Sequence, residues 1–132
     1  MDSDFETINN YIYSIWKLDE ATFASLIADD AVITYTFNGV PITSNKKSFV
    51  ERLHVGHFDT SVNTLKRNMI KISIEKLVTG TYLVTDICVM ERNGQGRDET
   101  GPGSYYYDSH GQICVANGKI TKIDYHFKKS RI

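Results

Sequence analysis

Cysteine is scarce in this chain: of 132 residues, only Cys88 and Cys114 carry a thiol. A secreted scaffold of this size ordinarily holds more, in even framework spacing, so a disulfide-built fold is excluded. Neither cysteine has a CxxC partner or a histidine at ligand spacing, and no metal site is expected. Charge of one sign is missing too. Sixteen acidic and fifteen basic residues leave a formal net charge of -1, which is no footprint for nucleic acid or an anionic membrane. The basic clusters Lys46-Lys47 and Lys128, Lys129, Arg131 are short and read as solvated surface or tail. No apolar run approaches the ~18 residues of a membrane span. The start, Met1-Asp2-Ser3-Asp4, lacks the basic-then-apolar layout of a secretory leader. Together these absences point to a cytoplasmic protein.

What is present is ordinary globular material, 41% hydrophobic and 23% charged, enough for one domain over 1–132 with one core. The first third has helical periodicity. Ser3-x-x-Glu6 matches a capping box, and Phe5, Ile8, Ile12, Ile15 and Trp16 follow on one face, with Tyr11 at its edge. Asp19 suits the N-cap of a short second helix carrying Phe23, Leu26 and Ile27, which Asp29-Asp30 ends. Ile33, Tyr35 and Phe37 then alternate with Thr34, Thr36 and Asn38 as a strand that terminates at Asn38-Gly39 and Pro41. Ser44 or Asn45 caps a third helix with Phe49, Val50, Leu53 and His57.

From about residue 62 the period becomes two. Strands are expected around Ile70 to Glu75, Tyr82 to Glu91, Ser104 to Val115 and Lys119 to Phe127, with Asn117-Gly118 as a hairpin turn. The glycine-rich segment 92–103 is a loop, either plain or able to act as a lid. This order predicts an α+β fold: a cone-shaped, curved antiparallel β-sheet, with three helices in the N-terminal half enclosing a pocket. Tyr82, Val84, Cys88 and Met90 alternate with Leu83, Ile87 and Val89, so this strand is apolar on both faces. One face meets the helices. The other has nothing in the chain to cover it, and a homodimer across the outer sheet face is expected.

The element order, with Leu26-Ile27-Ala28-Asp29-Asp30-Ala31 before the first strand and Asn117-Gly118-Lys119-Ile120 before the last, resembles the nuclear transport factor two-like superfamily. It is most similar to that superfamily's SnoaL-like branch. The resemblance implies a pocket protein among polyketide cyclases, ketosteroid isomerases, dehydratases, epoxide hydrolases and non-enzymatic modules. Against the isomerases it puts Tyr11 on the oxyanion-hole tyrosine, Tyr35 on the aspartate base and Gly111 near the second donor. Against scytalone dehydratase, Tyr35 matches a water-holding tyrosine, while Ile15, Met69 and Val89 replace its other site residues. Ile87, Val89 and Tyr125 fall on the catalytic positions of limonene epoxide hydrolase, and Tyr125 also falls on the acid/base aspartate of the cyclases. Asp124 is turned to the opposite face by strand alternation.

Tyr35, His57 and Tyr11 are therefore the catalytic candidates. Each phenol is either a pocket donor or a core tyrosine with a backbone partner. His57 is either a proton shuttle at the pocket mouth or a satisfied histidine. Trp16, Phe37, Phe49, Leu53, His54, Ile87, Val89, Tyr107 and Tyr125 are expected to line the site, with neither metal nor cofactor. The expected function is a cyclase-, isomerase- or dehydratase-type enzyme. It would act on a small apolar, ring-bearing (polyketide-, terpenoid- or steroid-like) molecule by tyrosine- and histidine-assisted proton transfer. A non-catalytic carrier or sensor, or a dimeric interaction module with a vestigial pocket, are the alternatives.

Overall fold

The structure is a computed structural model that describes residues 3–59, 65–92 and 103–132, and side chains for all of these except 65–70 and 92. Helix α1 (Ser3–Trp16) buries Thr7, Ile8, Tyr11, Ile12 and Ser14. Phe5, expected on that face, is 41% exposed. Leu18 ends the helix in the left-handed region at φ 57, and the Asp19 amide reaches back to the Ser14 carbonyl at 2.8 Å. That six-to-one bond satisfies a terminal carbonyl that the helix cannot pair internally. Asp19 caps α2 (Glu20–Ser25) as expected, its carboxylate accepting from the Thr22 amide at 3.2 Å and the Thr22 hydroxyl at 2.7 Å. Those hydrogen bonds hold its pKa below the usual aspartate value.

Strand β1 (Ile27–Phe37) begins before Asp29-Asp30, where the sequence suggests helix. Asn38-Gly39 then forms a turn with φ 47 and 86, and β2 (Val40–Ser44) pairs back onto β1. Both turn residues are left-handed, as a two-residue hairpin needs. Pro41 is tolerated because β2 is an edge strand. Asn45 caps α3 (Lys46–Leu53), its side chain accepting from the Ser48 amide at 2.9 Å. One π-helical turn, His54–Phe58, follows.

Four long strands complete the chain: β3 (Leu65–Val78), β4 (Thr81–Arg92), β5 (Gly103–Ala116) and β6 (Lys119–Arg131). The sheet order is β2-β1-β6-β5-β4-β3. The α+β architecture is the expected one, but the sheet is mixed rather than wholly antiparallel, since β1 runs parallel to β6. Between β1 and β6 the chain passes through β2, α3 and β3 to β5, a connection long enough for the two strands to run parallel.

The helices cover one face only. Ile8, Tyr11, Phe23, Phe49 and Phe58 pack there against Ile33, Tyr82, Val84, Ile113 and Ile123. Phe23 is fully buried at the centre, its ring 5.3 Å from Tyr11, 5.9 Å from Phe49 and 5.2 Å from Phe58. Removing such a ring would destabilise by about 3–5 kcal/mol. Among the described residues, no helix is long and apolar enough to cross a membrane.

Candidate functional site

Strand alternation assigns every sheet side chain to one of two faces. On the helix-covered, concave face two cross-strand rows are formed. One runs Val84, Gly111, Tyr125, Tyr35, Ile42, and the next runs Ile72, Asp86, Ser109, Phe127, Phe37. Beyond them stand Cys88 opposite Tyr107, and Tyr107 opposite Lys129.

Asp86 is what the sequence reading passed over. It sits amid Tyr82, Val84, Cys88 and Met90, all buried, and its Oδ1 is itself buried. Tyr125 reaches toward it. Burial, then the Asp86 charge, then the neighbouring Tyr11 push the Tyr125 phenol far above its ordinary value. Burial alone does the same to Tyr11. Both hydroxyls therefore keep their protons and are donors at neutral pH. Gly111 makes this possible. A Cβ there would lie 2.8 Å from Tyr125 Cδ1 and 2.2 Å from the Asp124 carbonyl oxygen, so only glycine lets the tyrosine ring lie across β5.

The remaining expected site residues divide. Tyr35 is buried between Phe49 at 5.9 Å and Phe127 at 6.3 Å, with the Arg52 guanidinium 5.8 Å over its ring. Trp16 and Leu53 are half-buried against the core, and Phe37 is at the rim, 40% exposed. Tyr107 shares the concave face with Lys129, whose amine lies 5.8 Å from its ring and 4.5 Å from that of Tyr105. Lys129 is buried, a correction to its reading as solvated tail.

His57 is not at a pocket mouth. It is buried, and its Nε2–H donates to the Ile15 carbonyl at 2.8 Å, tying the π-helical turn to the end of α1. His54 is on the outside, its Nδ1 2.7 Å from Glu20, which raises its pKa. Ile87 and Val89 also need correction: they occupy the face opposite Asp86 and Cys88, because β4 pairs with β5 without a bulge. Asp124 is exposed on that same outer face. The possible lid, residues 93–102, lies outside the described residues.

The outer face has its own groove of about 460 Å³, bordered by Thr36, Asn38, Asp108, His110, His126 and Lys128. Among the described residues, no group of three or more His, Cys, Asp or Glu could hold a metal.

A half-wrapped mixed sheet with three helices on its concave face recurs among solved structures. An NTF2-like protein of Burkholderia xenovorans LB400 superposes with TM-score 0.66 at 10% identity, covering 95% of this chain and 88% of its own. The chain has the NTF2-like fold. A candidate polyketide cyclase of Pseudomonas putida KT2440 matches with TM-score 0.71 at 12% identity, over 95% of this chain and 90% of that one. An LEH-like epoxide hydrolase of M. tuberculosis matches with TM-score 0.61 at 15% identity, over 95% and 82%. No protein-family profile matches the chain, and no curated protein matches it in sequence. Identities this low speak for the NTF2-like fold alone.

Proposed function

We propose that this NTF2-like protein binds an apolar, ring-bearing small molecule against its concave face and transfers a proton on it. Asp86 acts as the base, and the Tyr11 and Tyr125 hydroxyls donate to an oxygen that gains charge. One observation carries this reading: a carboxylate among the buried residues Tyr82, Val84, Cys88 and Met90, beside the Tyr125 phenol, which neighbours Tyr11 and like it stays protonated through burial. A carboxylate removes a carbon-bound proton effectively only where a donor stabilises the resulting enolate, and the two roles stand side by side here. Tyr35, Tyr107, Phe37 and Phe127 supply flat apolar walls, which suits polyketide-, terpenoid- or steroid-like rings. Proton transfer of this kind calls for no cofactor.

The test is a panel of ring-bearing ketones read by thermal shift, since a ligand that binds only the folded state raises its melting temperature. At least one should stabilise the wild type, and less so Tyr125→Phe. Binding without any turnover would instead make the protein a carrier or sensor.

We also propose that a second copy covers the outer sheet face. Leu83, Ile87, Val89 and Tyr106 are half-buried there, and among the described residues no helix packs over them. Cys88 and Cys114 are not joined in a disulfide, which fits a reducing, cytoplasmic setting.

A further inference from the structure

On the outer face, β5 and β6 bring two histidines together. His110 and His126 are direct cross-strand partners, and both side chains are exposed. Their rings stack with centroids 5.3 Å apart and planes 9° from parallel. The two rings are neighbours on one exposed face, and their positions border one region of space. That region is the groove of about 460 Å³, which both rings border.

We propose that His110 and His126 together chelate one divalent late first-row metal ion: copper most strongly, nickel and zinc less so. Cross-strand partners have Cβ atoms roughly 4.5–5.5 Å apart, so modest rotation about their side-chain bonds brings two ring nitrogens onto one ion at about 2.0–2.1 Å. Imidazole suits these metals, and the affinity order follows the general series for nitrogen ligands. With no third His, Cys, Asp or Glu in ligand range among the described residues, water or a second copy of the chain fills the other positions. Among the charged residues bordering the groove, Asp108 is offset by Lys128 and Lys129, so the paired imidazoles rather than net charge carry the site. The two proposed ligands lie on the sheet face opposite Asp86 and have no role in the concave-face reading.

The test titrates the full-length, tag-free protein with copper, nickel or zinc chloride in a non-coordinating buffer, read by calorimetry. Saturable binding is expected at one ion per chain, or at one per two chains if two copies share it; both ratios support the site. His110→Asn or His126→Asn should each weaken binding by roughly tenfold or more, equivalent to about 1.4 kcal/mol or more. His54→Asn should leave it unchanged. A second readout needs no variant: copper should broaden the ring-proton resonances of His110 and His126 and leave those of buried His57 sharp. Absence of wild-type binding, or equal binding by both outer-face variants, would overturn the proposal.

Discussion

Tyr125 lies over the bare α-carbon of Gly111, its partner across β5 and β6. The contact is tight on two sides, because an added methyl would meet the Tyr125 ring at 2.8 Å and a backbone oxygen at 2.2 Å. A backbone clash cannot be relieved by a rotamer change. Gly111→Ala should therefore destabilise the protein by about 1–3 kcal/mol and displace Tyr125, which chemical denaturation and tyrosine ring resonances would read.

Alkaline titration examines the same ring from another side. Unfolded phenols release their protons near pH 10, whereas folded Tyr11 and Tyr125 hold theirs to higher pH. The stability they contribute is whole below pH ~10 and is lost as pH rises above it, since the unfolded state then binds fewer protons. Each phenol should add about 1.4 kcal/mol per pH unit to that decline. The Tyr11→Phe/Tyr125→Phe double variant should show a shallower alkaline slope by close to two protons. An unchanged slope would mean that neither phenol is shielded.

Leu18 tests the end of α1. A leucine in the left-handed region carries roughly 1–2 kcal/mol of steric strain, and it is 38% exposed, so little packing is at stake. Leu18→Gly should raise the unfolding free energy by about 1 kcal/mol, after the greater flexibility of unfolded glycine is counted.

The outer face gives a fourth expectation. Sedimentation should find the wild type at twice the mass of one chain. Ile87→Glu, which sets a charge into the apolar patch, should shift it toward a single chain. A wild type that sediments as one chain at high concentration contradicts the dimer.

Much of the fold was legible in local pattern. Asp19 and Asn45 announced their helices because side-chain caps are chemistry within four residues. Asn117-Gly118 announced its hairpin for the same reason, through the left-handed backbone such turns need. Asn38-Gly39 is the same signal, read as a terminus because Pro41 follows. Proline excludes a central strand but permits an edge, and edge status is not a local property. The parallel pairing of β1 with β6 is invisible for that reason too: partners some ninety residues apart leave no trace in either segment's own periodicity.

The site was legible in part. Tyr11, Tyr35 and Tyr125 were candidates by parity and resemblance, and the structure packs Tyr11 and Tyr35 in the core with Tyr125 against it. Asp86 was available from the same parity, as the charged member of an apolar alternating set. Of the two readings open for His57 the structure bears out the satisfied histidine, because a helical projection gives a direction but not the partner, the Ile15 carbonyl.

Hydrogen exchange on a bound ketone tests the central role of Asp86 most directly. A ring-bearing ketone that stabilises the protein would be incubated in deuterated buffer, and deuterium uptake at the carbon beside its carbonyl followed by mass spectrometry. The wild type should catalyse uptake, with Asp86→Asn slower by roughly 10²-fold or more and still able to bind. Equal uptake by wild type and Asp86→Asn, at matched occupancy, would contradict it.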